Sequence, residues 1–224
     1  MRWCAQPGEP LFGAARDCAE FEQQLLRFDG SSEPRSHTAD DEVLYVLSGH
    51  GAVTIGGEAA ELRPGSAAWI ASGSPWQVDE ADELELLSVL VREPLPANGS
   101  THAVIDAESA EEGPATAGRH FRLLATPERG CASVTQFVGF IPVGRAPDHF
   151  HTYDEVVFVL EGEGALHVAG ETAPLRAGSA VHLPARLVHC LENTGPGELR
   201  VLGVFRPAGS PAEAYYPDGS RAQY

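Results

Sequence analysis

The chain contains no lysine: its fifteen basic residues are all arginine, set against 32 acidic ones. Without a lysine amine there is no Schiff-base chemistry, either with a carbonyl substrate or with pyridoxal phosphate. The net charge of −17 disfavours nucleic acid and anionic membrane partners, since both demand cations that neutralise phosphate. No apolar run is long enough to cross a bilayer. The N-terminal stretch MRWCAQPGEPLFGAARD lacks the apolar segment of a signal peptide, so a cytoplasmic location is expected. Cysteine is sparse: Cys4, Cys18, Cys131 and Cys190 form no CxxC pair, and no disulfide framework is expected.

What the chain does have is turns. With 24 glycines and 17 prolines spread over 224 residues, it reads as many short strands in one large domain or two small ones. Short, β-branched, partly alternating runs occur at Val43–Leu47, Ala52–Ile55, Ala67–Ile70 and Leu84–Val91. They recur at Ser133–Ile141, Glu155–Leu160, Ala165–Val168, Ala180–Leu183 and Arg200–Phe205. Such a pattern argues for β-sandwiches or barrels rather than βαβ units. Cys18–Phe28 fits a helix or an edge strand equally well.

The first half can be laid over the second. HTADDEVLYVLSG from His37 runs parallel to HTYDEVVFVLEG from His151, and LRPGSA and LRAGSA bring Gly65 onto Gly178. The expected organisation is therefore two domains, 1–95 and 119–224. The polar, acidic, Pro/Gly-rich stretch 96–118 reads as the linker between them.

Within the second copy, GRAPDHFHTYDEVVFVLEG is followed some twenty residues later by GSAVHLPARLVHCLEN. His149 and His151 are two apart, so on a strand both side chains leave one face. Glu155 follows before the apolar run Val156–Leu160, and His189 comes after a Gly–Pro-punctuated strand that returns over the same cavity. Three imidazoles and one carboxylate, with no thiolate, suit a single divalent transition metal ion: Fe, Mn, Ni, Co, Cu or Zn. With an octahedral ion, two positions stay open for substrate or for substrate plus dioxygen. Tyr153, Phe137 and Val157 are candidates to line the substrate cavity, and His182 is a candidate contact within it. Cys190, next to His189, would point to the opposite face and is read as a packed thiol.

These residues resemble the two motifs of the cupin superfamily, and the internal repeat resembles a bicupin. Gly144, His149, His151, Glu155 and Gly162 match the first motif. Gly178, Pro184, His189 and Asn193 match the second, with Arg186 where a glycine is usual. The resemblance implies an all-β protein of two double-stranded β-helix (jelly-roll) barrels in tandem. It also implies a metal bound by His149, His151, Glu155 and His189. In the first copy the corresponding positions are Arg35, His37, Glu42 and Trp76, a degenerate site expected to hold no metal. Arg35 could instead pair with Glu42 or grip a substrate carboxylate.

The implied function is a metal-dependent enzyme acting on a small molecule, most like the quercetin-dioxygenase-like bicupins. Lewis-acid isomerisation, cyclisation, decarboxylation or hydrolysis, as in ureidoglycine aminohydrolase, is the alternative; a non-enzymatic metal- or ligand-binding bicupin is a third. The resemblance further implies a homodimer.

Overall fold

The computed structural model describes residues 10–13 and 17–222. Strands dominate, and the chain divides into two compact units. Among the described residues the first unit comprises 10–13, 17–110 and 124–134, and the second comprises 111–123 and 135–222. No helix among them is long and apolar enough to cross a membrane. The expected all-β, jelly-roll architecture is what the chain adopts.

The first unit is built from β1 (Phe21–Gly30), β2 (Asp41–Ile55), β3 (Glu58–Leu62), β4 (Ser66–Ile70), β5 (Trp76–Val91) and β6 (His102–Asp106). The order is β1-β5-β2-β4-β6, with β3 paired to β2, and every pairing is antiparallel. The ambiguous Cys18–Phe28 run contributes an edge strand, β1. The two runs read separately within 43–55 are one strand, whose register shifts between Val46 and Ala52. Such irregularities bend a strand without ending it. Leu44, Val46, Val53, Ile55, Ile70, Leu84 and Leu86 meet in one core beneath Trp76, as a two-residue side-chain period requires.

The second unit contains β7 (Glu112–Pro114), β8 (His120–Leu123), β9 (Thr135–Ile141), β10 (Gly144–Arg145) and β11 (Asp154–Glu161). It continues with β12 (Glu163–Val168), β13 (Glu171–Arg176), β14 (Ala180–Leu183), β15 (His189–Asn193) and β16 (Leu199–Arg206). One sheet runs β14-β11-β16-β9-β8-β7 and the other β10-β15-β12-β13. Val157, Val159, Val181, Leu183 and Val201 from the first sheet pack with Leu175 and Leu191 from the second. Two sheets closed over one apolar core make a jelly roll.

The repeat survives in the turns. Gly56–Gly57 joins β2 to β3 and Ala169–Gly170 joins β12 to β13, with φ of 59°, 92°, 51° and 80°. Two successive positive φ values define the two-residue hairpin whose twist matches its strands, and glycine tolerates them best.

The domain boundaries differ from the sequence reading. The stretch 96–118, expected to be a linker, carries β6, which pairs with β4, and β7, which pairs with β8. Residues 124–134, expected in the second domain, belong to the first unit. The run His102-Ala-Val-Ile-Asp106 has strand-forming residues, but its acidic, Pro/Gly-rich surroundings masked the signal.

Candidate metal centre

His149 reaches its position through the backbone. Its N–H donates to the His189 carbonyl at 3.0 Å, and the His189 N–H donates back at 2.8 Å. The His151 carbonyl accepts from Arg186 N–H at 2.7 Å, tying the loop before β11 to the turn before β15. Arg186 itself has φ of 67°, the left-handed geometry for which the motif ordinarily supplies glycine.

The three imidazoles converge. One ring nitrogen from each of His149, His151 and His189 lies within 4.8 Å of the others, a group that could hold a metal ion. Every Nδ1 faces a backbone carbonyl: His149 to Pro147 at 3.0 Å, His151 to Glu213 at 2.7 Å, and His189 to Leu187 at 2.8 Å. A carbonyl only accepts, so each Nδ1 carries the proton and each Nε2 keeps its lone pair free for a ligand bond. Burial lowers the pKa of all three, to about 3 for His151 and about 4 for His189. Neutral, oriented imidazoles are what a divalent cation requires, so these residues fit the implied ion.

Glu155 is 4% exposed and lines the same cavity, but its carboxylate stands outside the 4.8 Å group. It leans toward β16, where Oε1 lies 2.9 Å from the place a Gly203 side chain would begin. Burial, followed by the charge of Asp154, pushes its pKa up to about 8. The Phe137 ring lies across Gly203, 2.2 Å from that same Cβ position, so only glycine fits there.

The cavity measures about 80 Å³, room for a few water-sized groups. Phe137, Tyr153 and Val157 line it. Tyr153 stacks on His151 at 4.6 Å and on Phe205 at 3.9 Å between ring centroids. His182 does not line it. It pairs with Val156 across the sheet, whereas its neighbour Leu183 pairs with Glu155 and faces the cavity. The pleat turns His182 to the other face, where Nε2 meets Asp154 Oδ1 at 2.7 Å. Cys190 is buried and donates to the Ala146 carbonyl, as a packed thiol should. Cys18, Cys131 and Cys190 are all free; Cys4 lies outside the described residues.

Sequence reasoning missed two contributors. Arg119 lines the cavity from just before β8, and Pro211, Ala212 and Ala214 line it from the segment after β16. That segment is held by reciprocal backbone bonds between Phe150 and Tyr215, which also place the Glu213 carbonyl on His151. Neither element carries a motif; only tertiary closure brings it to the histidines.

The first unit shows the degenerate site sealed. Arg35 and Trp76 form the backbone bridge that His149 and His189 form in the second unit. The Glu42 carboxylate is 1% exposed; Trp76 Nε1 donates to it at 2.9 Å and Ser88 Oγ at 2.5 Å, with His37 Nε2 3.5 Å away. The expected Arg35–Glu42 pairing is not what forms. The guanidinium sits over Trp76 at 5.1 Å and Phe28 at 5.9 Å, because the indole N–H and Ser88 already occupy the carboxylate. Of Arg35, His37, Glu42 and Trp76, only His37 and Glu42 carry side chains of ordinary metal-ligand type.

Two β-barrel units, one with converging histidines and one with its equivalent positions filled, define a two-barrel protein with a candidate metal site in the second unit. The model of the cupin domain matches residues 25–90 and 136–205, more than half of the chain. The chain belongs to the cupin family. Polyketide synthase CurC of Streptomyces cyaneus is 33% identical over 94 residues, covering 40% of this chain and 60% of that protein. The chain thus matches less than two thirds of that relative's length. Among solved structures, protein Ylba from E. coli superposes with a TM-score of 0.70 at 15% identity, covering 84% of this chain and 77% of that one. Bacillus subtilis oxalate decarboxylase, described with Mn(II) centres, superposes with a TM-score of 0.69 at 14% identity, covering 87% and 71%. At these identities the solved structures show the fold.

Proposed function

We propose that the chain is a metal-dependent cupin enzyme that acts on a small molecule in its second unit. One ion per chain is held by His149, His151, His189 and Glu155. The observation that carries this reading is the shared orientation of three imidazoles, buried at His149 and His189 and half-buried at His151, each tied through Nδ1 to a backbone carbonyl. A divalent transition ion bound there supplies Lewis acidity and, if redox-active, electron transfer. The protein's own part is to keep the imidazoles neutral, to add a carboxylate, and to exclude water with Phe137, Tyr153 and Val157.

Dioxygen-dependent oxidation of the bound molecule is the first reading of the reaction. A second, Lewis-acid chemistry without dioxygen, is favoured by the structural likeness to a decarboxylase described with Mn(II) centres. Elemental analysis should find one metal per chain. His149→Ala and His189→Ala should abolish its retention, and His37→Ala should leave it unchanged. Two metals per chain, or full retention in His149→Ala, would overturn the assignment. Turnover under strict anaerobiosis would reject the oxidative reading in favour of the second.

A further inference from the structure

Arg119 lies outside both histidine motifs, yet its side chain lines the cavity of His149, His151 and His189. One N–H donates to the Leu191 carbonyl. Burial lowers its pKa, and the only group opposing that shift is the Cys190 thiol. Among the described residues no carboxylate pairs with it. Six other arginines behave differently: Arg27, Arg63, Arg92, Arg122, Arg145 and Arg200 each meet an aspartate or glutamate. In a chain with 32 acidic residues, a partly buried guanidinium that faces a cavity without a counter-ion is conspicuous. Removing a cation from water without pairing it is costly, and a planar fork of five donors keeps capacity beyond the Leu191 carbonyl and the Cys190 thiol.

We propose that Arg119 anchors an anionic oxygen of the substrate, so that the substrate class is a small organic acid, held by its carboxylate against the guanidinium. Resting on the proposed function, the same molecule presents a second oxygen toward the histidine group. Arginine suits this task because its fork accepts a carboxylate in bidentate fashion and stays charged when partly desolvated. The cavity of about 80 Å³ limits the bound portion to a few heavy atoms. An acidic protein whose overall field repels anions needs such a local positive site to retain one.

The test uses the full chain, metal-loaded and, in parallel, stripped with a chelator. Glycolate and its neutral analogue glycolamide are titrated calorimetrically, and bound metal is measured in each sample. The wild type should bind glycolate about tenfold or more tightly than glycolamide, as expected for a hydrogen-bonded charge pair. Arg119→Gln should lose that preference with metal content unchanged, while Arg119→Lys should keep part of it. A wild type that does not distinguish the two probes overturns the proposal without recourse to any variant. So does an Arg119→Gln protein that still prefers glycolate, in which case the guanidinium serves only to tie down Leu191. If the wild type retains no metal but shows an Arg119-dependent preference for glycolate, the anchor stands and the metal-dependent reading falls.

Discussion

The Arg35 N–H donates to the Trp76 carbonyl at 2.7 Å and the Trp76 N–H donates back at 2.8 Å. His149 and His189 make the same reciprocal pair in the second unit, so the two halves are superimposed at the very bridge that carries the ligands. The register extends the equivalence. Glu42 faces Leu90 and Glu155 faces Phe205, which makes Ser88 the counterpart of Gly203. In one unit a serine and an indole hold the buried carboxylate; in the other a glycine and a histidine leave it facing a cavity.

Trp76→Phe removes one of the donors to the buried Glu42 carboxylate. A buried charge that loses a hydrogen bond costs about 1–3 kcal/mol, and denaturant unfolding should show a loss of that size. Metal content should not change, because Trp76 belongs to the sealed site. Unaltered stability would mean the indole N–H contributes little.

Gly203→Ala forces a methyl group into space held by the Phe137 ring and Glu155 Oε1. Overpacking of this kind costs about 1–3 kcal/mol. Because the displaced groups line the cavity, the variant should also bind metal more weakly, by direct titration. A second change, Phe137→Leu, should restore part of both losses by making room.

The nearby Glu42 carboxylate, whose pull outweighs burial, raises His37 above its ordinary value of 6.5. A raised folded-state pKa contributes stability that is fully present below about 6.5 and lost as pH rises through the folded value. The melting temperature of the wild type should therefore decline relative to His37→Gln as pH increases above 6.5. Parallel pH profiles for the two proteins would show that the 3.5 Å approach is energetically silent.

Arg186→Gly addresses the left-handed residue in the turn over His151. A side chain in that region costs about 1–2 kcal/mol, offset in part by the greater freedom glycine has when unfolded. The variant should gain about 0.5–1 kcal/mol in denaturant unfolding while keeping its metal. A loss would show that the Arg186 side chain makes compensating contacts.

Strand positions were legible in sequence where alternation and glycine punctuation were strong. Val157 and Val159 announce β11, and LRAGSA announces the turn before β14. His149, His151 and His189 were legible because chemistry demands those types at those offsets, and the degenerate copy confirmed the frame. β6 was not, since an acidic, Pro/Gly-rich neighbourhood diluted its short apolar run. His182 could not be oriented either, because its facing depends on the pairing of Glu155 with Leu183, a register set by the partner strand.

The local pattern of glycines, β-branched residues and histidines by itself determined two β-rich repeats and which of them keeps a ligand set, because turn geometry and side-chain alternation act over a few residues. Only the tertiary structure decided which atoms surround that set. Closure of distant segments tied the His151 Nδ1 to the Glu213 carbonyl, turned Glu155 toward Gly203, filled the first site with Trp76 and Ser88, and brought Arg119 to the cavity. Such contacts arise from packing between residues far apart in the chain, and no short-range sequence signal encodes them.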